Sequence, residues 1–391
     1  MLSLSKDSVI FSDRENLEHK IGEIVERIKS LGRRRKLLAS VLKKAKDGFR
    51  FQADEKHGGL IESALVKSVG RDSLSDCTVA GVDGGVLKKP LHGFDLILFR
   101  AVAAIFHYEY GSLRNADYCP SDMPPPQLMS IDEPLDSREF ELLVAMRRQL
   151  AEMERARETV ENWDVDAIFL DGSIVPQYVT PASESKTSET YGKLIDSFKG
   201  LYRTCDEKGA LLIGVLKDSR SARFIKIFQR MVLPCLMNDS GLSASEVSLL
   251  ESNKSVLSNS RDINFLDELL DTNERSFTFP YAGSQANLLN GLGEWKKRIY
   301  AFYLKSVPYD CPLRVEFLSG SKDIHETVDR ISALVNALSA HHEACAFPPV
   351  LIEADACARL PMEEISIIRD NIADRLEPSS ILDLRRDRRP F

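Results

Sequence analysis

The sequence predicts an α/β fold, a mixed sheet flanked by helices, with helical additions at both ends. Three observations lead there. Short apolar runs at 78–82, 166–170 and 211–216 have the length and composition of buried strands. Stretches with helical spacing at 137–162 and 187–206 separate these runs. A further apolar stretch at 94–106 follows the first run with no helix before it, which makes the sheet mixed rather than parallel throughout.

Taken in order, residues 13–47 read as helix. Leu17, Ile21, Ile24, Val25, Ile28 and Leu31 keep helical spacing, and after a break expected at Gly32 the pattern resumes at Leu37, Leu38, Val41 and Leu42. Residues 48–76 carry weaker signals and a Gly58-Gly59 break, so 1–75 forms an N-terminal helical region and 76–391 the main domain. Thr78 to Val82 form a strand that runs into a turn at Asp83-Gly84-Gly85. Phe94 to Phe106 supply one or two more strands. Residues 111–136, rich in Pro, Asp and Ser, read as a surface loop, and 137–162 as a helix. Asp166 to Leu170 repeat the strand pattern and end at Asp171-Gly172-Ser173. A helix over 187–206 leads to a third core strand, Leu211 to Leu216, which ends at Lys217. Residues 220–275 read as mostly helical, 276–281, 298–305 and 313–318 as strands, and the chain from Asp323 onward as helical. Successive early strands followed by alternation with helices is the layout of an RNase H-like domain.

Composition narrows the function. The chain has 391 residues, 43% of them hydrophobic, enough for one elaborated domain with a large core. The net charge of −7 argues against a protein that binds nucleic acid over its whole surface. Basic residues cluster locally, at Arg33-Arg34-Arg35-Lys36 with Lys43, Lys44 and Lys46, and at Arg385-Arg386 with Arg388-Arg389. These read either as solvated helix faces and tails or as surfaces that track DNA or a partner. Seven scattered cysteines without a CxxC pair suggest neither a zinc site nor a disulfide framework, but reduced thiols. No apolar run reaches membrane-spanning length and the first residues lack the apolar core of a signal peptide, so a cytoplasmic location is expected. No GxxxxGK[ST] P-loop is present.

The chemistry rests on a repeated pattern of apolar strand, Asp, Gly and small residue, at Asp83 and again at Asp171. A carboxylate at the end of a buried strand is held rigidly, and the glycine after it lets the backbone turn and a ligand approach. A lone Asp-Gly is a turn signal. Two on neighbouring strands would aim two carboxylates into one place, where a hard cation such as Mg²⁺ or Mn²⁺ relieves their repulsion. Leu143, Met146, Leu150, Met153 and Val160 define the apolar face of the helix before Asp171. At about 100° per residue, Glu154 lies at the edge of that face, while Glu152 and Glu141 fall well away from it. Glu154 is therefore the third candidate, weighed against an ordinary boundary glutamate. Lys217 ends the third core strand, suited to bind a phosphate as a point charge, and Asp218 beside it either ligates or faces solvent. His341-His342 form a pair beside Glu343, but adjacent helical residues diverge, which favours a structural role.

Gly81-Val82-Asp83-Gly84-Gly85, the helix with Glu154, Phe169-Leu170-Asp171-Gly172-Ser173 and Gly214-Val215-Leu216-Lys217-Asp218-Ser219 come in the order seen in NurA nucleases. Phe347 to Asp355 also resembles that family's closing motif, so the resemblance spans roughly residues 78 to 360. It implies that Asp83, Glu154 and Asp171 hold manganese, and the gap of 17 residues between Glu154 and Asp171 fits the family's pattern. The family's closing motif carries a Tyr and, eight residues on, a His; here Phe347 and Asp355 stand there, and Asp355 joins the expected metal ligands.

The resemblance implies a metal-dependent deoxyribonuclease that processes DNA ends, 5′ to 3′ and on single strands, by two-metal phosphodiester hydrolysis. Asp83 would bridge, Glu154, Asp171 and Asp355 would complete the coordination, and Lys217 would hold a phosphate oxygen. It also implies Mn²⁺ or Mg²⁺ as cofactor, a homodimer and a hexameric HerA-type ATPase as partner, and a role in break repair or in defence against foreign DNA. Phe279, Tyr281 and Trp295 are candidates to stack on bases, or else pack in the core or a dimer. Two other readings stay open. One is a phosphotransferase of the actin-like or sugar-kinase type, against which stands the lack of a late glycine cluster. The other is a scaffold that kept the fold and the ATPase partner but lost activity, motivated by Phe347 and Asp355.

Overall fold

The computed structural model describes residues 6–51, 60–178, 180–182, 185–239, 241–281, 289–320, 323–376 and 382–384. A helix of 40 residues, α1 (Lys6–Ala45), leads through β1 (Val66–Ser68) to β2 (Cys77–Pro90), β3 (Asp95–Glu109), β4 (Ser112–Cys119) and β5 (Gln127–Ile131). Then follow α2 (Ser137–Asn162), β6 (Ala167–Asp171), α3 (Ser188–Lys208) and β7 (Leu211–Leu216). A helical segment contains α4 (Arg223–Ile227), α5 (Leu233–Asp239), α6 (Ala244–Asn253) and α7 (Asp262–Leu269). The strands β8 (Glu274–Ser276), β9 (Phe279–Pro280), β10 (Ile299–Lys305) and β11 (Leu313–Leu318) come next. The helices α8 (Ile324–Ser339), α9 (Pro349–Ala358) and α10 (Met362–Ala373) close the described chain.

One sheet unites the strands in the order β1-β8-β10-β11-β7-β6-β2-β3-β4, with β5 beside β3 and β9 beside β10. β6 runs parallel to both β2 and β7, and β3 antiparallel to β2 and β4. The run β4-β3-β2-β6-β7 is thus the RNase H arrangement, extended past β7 by antiparallel β11 and β10.

The two-residue period of the strands decides which core each side chain enters. Ala80, Val82, Ile168, Leu170 and Leu212 pack under α2 and α3. Their neighbours Val79, Phe169, Ile213 and Val215 pack on the opposite face, against α8 and α9. Buried on both faces, these strands read as continuous apolar runs. In β10, Ala301 and Tyr303 join a third core with the end of α1 and the segment α4–α7, around Phe224, Phe265 and Phe277. Each fully buried ring there contributes about 1.5–3 kcal/mol of transfer free energy. Leu38, Val41, Leu42, Phe49, Phe51, Leu60 and Leu65 belong to that same core.

Several expectations change. Gly32 does not interrupt α1, which is continuous. Beyond the core, Leu17, Ile21, Ile24, Val25 and Ile28 of α1 stay exposed. Residues 111–136 are not a loop, since they hold β4 and β5. The first half of β4 is exposed at the sheet edge, so its composition is polar and hides the strand. The strand expected at 276–281 is two short ones, β8 and β9, broken after Ser276. Gly58-Gly59 and the Arg385–Arg389 cluster lie outside the described residues. The seven cysteines form no disulfide. Among the described residues no helix is long and apolar enough to cross a membrane.

Candidate active site

Parallel pairing sets two carboxylates side by side. Val79 to Val82 of β2 lie opposite Ala167 to Leu170 of β6, so Asp83 and Asp171 follow the last paired residues, Val82 and Leu170, on adjacent strands. Asp83 is only 8% exposed, and its Oδ1 accepts the Gly84 N–H at 2.8 Å. Burial first, and then the charges of Asp171 and Asp355, push its carboxyl up to about 7 against the pull of Gly84 and Arg148.

Glycine makes room for a third acid. A Cβ on Gly84 would stand 2.6 Å from Glu152 Oε1, closer than packing allows. Glu152, on α2, is buried and leans over that glycine. Its carboxyl is pushed up to about 8 by burial, with Asp83 and Asp171 adding to the rise and Arg148 opposing it. Arg148 Nη1 is 2.6 Å from Glu152 Oε1, 3.1 Å from the Gly84 carbonyl and 3.8 Å from Asp83 Oδ1. One guanidinium thus serves two acids.

On the other side of Asp83, Asp355 and Arg359 of the α9 end line a small hollow with Gly84 and Gly85. Asp355 is exposed, and Arg359 reaches it at 3.8 Å. Gly172, at φ +127°, turns the chain after Asp171, a conformation that favours glycine. Lys217 Nζ donates to Asp171 Oδ2 at 3.1 Å and sits 3.7 Å from the centre of the buried Phe347 ring. Lys217 thus lies between a cation–π contact with Phe347 and a hydrogen bond to Asp171. Tyr178, half-buried, feels the charges of Arg148 and Glu152 and shares their electrostatic neighbourhood.

Among the described residues no three His, Cys, Asp or Glu side chains stand at metal-ligand spacing as placed. The donor set nonetheless fits a hard cation in kind. Its atoms are carboxylate oxygens, and burial together with mutual repulsion raises Asp83 and Glu152, a cost that a bound cation would offset.

The profile of the NurA domain matches residues 77–367 of the 391. The chain belongs to the NurA family. No curated protein sequence matches it significantly. The NurA nuclease from Sulfolobus solfataricus shares its fold, with a TM-score of 0.56, 13% identity, and 93% of this chain and 99% of that chain covered. A NurA bound to dAMP and manganese aligns over 96% of this chain and 98% of that chain, at 10% identity and a TM-score of 0.39. An endonuclease V from Bacillus subtilis aligns over 80% of this chain and 89% of that chain, at 10% identity and a TM-score of 0.32.

In this NurA chain the structure brings Asp83, Asp171, Lys217 and Asp355 to one end of the central strands, but not Glu154. Glu154 is exposed on α2, and Glu152, two residues earlier and about 200° around the helix, is buried in its place. The reason is that α2 packs on two sides, against the sheet and against α3. Its buried set includes Val144, Ala151, Glu152, Ala156 and Thr159 beside the large apolar residues. A stripe drawn through large apolar side chains alone misses that second side. The readable signal is the run Val144, Arg148, Glu152, Ala156 at four-residue spacing.

Other candidates lie elsewhere. Asp218 is exposed and lines a separate cavity. Phe279 and Tyr281 are buried, and half-buried Trp295 packs against Tyr202 and under Arg298, so these rings are engaged in packing. His341 and His342 follow the end of α8, where His341 bonds the Leu338 carbonyl and His342 accepts the Ala344 N–H. Of the α1 basic cluster, Lys43 and Lys46 pair with Asp271, Lys44 with Glu246, and Arg34 with Asn253 and Ser255. Those cations fasten α1 to the neighbouring helical segment.

Proposed function

We propose that the chain is a metal-dependent deoxyribonuclease whose acids are Asp83, Glu152 and Asp171, with Asp355 beside them. The observation that carries this reading is the placing of Asp83 and Asp171 at neighbouring parallel strand ends, with Glu152 of α2 over Gly84 and linked to Asp83 through Arg148, in a NurA-family fold. Manganese is the favoured cation, since NurA proteins are known in complex with manganese and with dAMP and manganese. Held by these carboxylates, it would supply Lewis acidity, lowering the pKa of a bound water and offsetting charge on the leaving oxygen.

The residues of the chain do the rest. Asp83 and Asp171, fixed by adjacent strands, set the position of the reacting phosphate. Lys217, oriented by Phe347 and Asp171, holds a non-bridging phosphate oxygen. Arg148 donates to Glu152 and lies beside Asp83, and it would turn toward phosphate once a metal displaced it. We read Asp355 as a replaceable outer ligand because it is exposed and pairs with Arg359.

The finer reading is processing of DNA ends, 5′ to 3′ and on single strands, by a homodimer fed by a HerA-type ATPase, as the family resemblance implies. Labelled linear single- and double-stranded DNA, incubated with Mn²⁺, Mg²⁺ or EDTA, tests the activity. Metal-dependent cleavage that an Asp83→Ala variant lacks supports it. No cleavage with any metal, even when the ATPase is supplied, makes the chain a scaffold instead.

A further inference from the structure

A cavity of about 540 Å³ opens at the end of β7, next to the candidate site but distinct from it. Asp218, in its wall, follows Lys217, and Gln177, also in its wall, donates to Ser173 Oγ at 3.0 Å, two residues beyond Asp171. The cavity is therefore joined to the acid site by both strand-end turns. Its walls are strongly cationic: Arg220, Arg223, Lys226 and Arg314 face two carboxylates, Asp218 and Glu316.

Much of the acid is already committed. Glu316 accepts from Arg314 Nε at 2.8 Å and from the Ser173 hydroxyl. The buried Asp262 behind the wall accepts the Phe224 and Ile225 N–H groups at 3.0 and 2.9 Å and the Tyr303 hydroxyl at 2.9 Å. Those bonds pin the segment that carries Arg220, Arg223 and Lys226, so the cations are presented by a fixed wall. Burial, and then the charge of Arg314, lower Arg223 against the pull of Asp262. Arg220 and Lys226 are exposed at the rim. An anion is the ligand that relieves this excess, and a nuclease substrate carries anions at every backbone step.

We propose that this cavity binds a backbone phosphate of the DNA strand, flanking the one that is cut, through Arg220 and Lys226. The proposal rests on the nuclease reading for its geometry, yet it concerns binding and is tested without cleavage. The probe is a fluorescein-labelled single-stranded oligothymidylate, titrated with the full chain in EDTA at several salt concentrations. Arg220→Gln and Lys226→Gln are compared with the parent, because both side chains are exposed and their replacement spares the core.

Each variant is expected to bind several-fold more weakly at low salt. The slope of log K against log salt should shrink by about 0.7 for each phosphate of the single strand that a variant no longer neutralises. Thermal unfolding of each variant close to the parent's shows that the change is local. Unchanged affinity and slope in both variants overturns the proposal, as does a parent chain that does not bind the oligonucleotide in EDTA. If the slopes fall as expected but no metal yields cleavage, the phosphate site stands and the nuclease reading fails. If the parent cleaves and the variants bind as it does, the phosphate site fails alone.

Discussion

Arg148 and Glu152 stand one helical turn apart on α2, and their side chains meet at 2.6 Å over Gly84. The same guanidinium lies 3.8 Å from Asp83. A protein cation thus occupies the place where the proposed function puts a metal. Removing it by Arg148→Ala leaves two largely buried acids facing each other. At a pH above about 8, where both acids are ionised, the melting temperature in EDTA is expected to fall, and saturating Mn²⁺ to restore most of the difference. A variant that melts like the parent in EDTA would show that Arg148 does not neutralise the pair.

Glu152 and Glu154 separate the site geometry from the sequence spacing. Glu152→Gln is expected to lower Mn²⁺-dependent cleavage by about 10²-fold or more, the scale of losing one group that stabilises charge at a reacting centre. Glu154→Gln, on the exposed side of α2, should stay within about twofold of the parent. Initial rates on one labelled duplex decide the matter, and the reverse ranking would restore Glu154 to the site.

What is legible in the sequence follows from what each signal measures. The strands buried on both faces, β2, β6 and β7, announce themselves as apolar runs, and Asp83, Asp171 and Lys217 stand out because each sits at or just past such a run. The edge strands β4 and β5 escape, since a strand with one wet face has no continuous apolar run. Glu152 escapes because a buried carboxylate leaves no hydrophobic trace, and the small residues that flank it, Ala151 and Ala156, carry little weight in a periodicity. The cationic cavity is invisible because its walls come from four separate stretches, around 177, 220, 281 and 314.

The raised acids predict a pH dependence of stability. Folded Glu152 holds its proton up to about 8 and Asp83 to about 7, against ordinary values of 4.5 and 3.8. Over that window the folded state binds more protons than the unfolded one, so their contribution to stability declines as pH rises. In EDTA, thermal unfolding should show this decline from roughly pH 5 to 8. Glu152→Gln, which cannot ionise, should flatten it. Equal pH slopes in parent and variant would rule out Glu152 as the source.

Glu62 behaves in the opposite sense. It is buried, and burial alone would raise its carboxyl. The bidentate contact with Arg275 at 2.7 and 2.8 Å, with Lys67 and the Thr278 N–H, instead holds it down to about 2. Its stabilisation is fully present above the ordinary value of 4.5 and is lost as pH falls toward 2. Glu62→Gln leaves buried Arg275 with only the exposed Asp329 as a charged partner among those it bonds, and should cost about 3–5 kcal/mol by denaturant unfolding. A loss below about 1 kcal/mol would mean that the pair is replaceable.

Gly84 tests the packing of the site without touching an acid. In Gly84→Ala the new Cβ would meet Glu152 Oε1 at 2.6 Å, so Glu152 must shift. Cleavage is expected to fall by about 10-fold or more, since small misplacements at a reacting centre are costly. A fully active Gly84→Ala would show that Glu152 need not lie over this residue.

The central claim is that Asp83, Glu152 and Asp171 form one cation site, and calorimetric titration of Mn²⁺ into the purified protein tests it most directly. The account predicts saturable binding by the parent, severe weakening in Asp83→Asn, Glu152→Gln and Asp171→Asn, and parental affinity in Glu154→Gln. Parental affinity in Asp83→Asn and Asp171→Asn would contradict it, because the cation would then be held somewhere else.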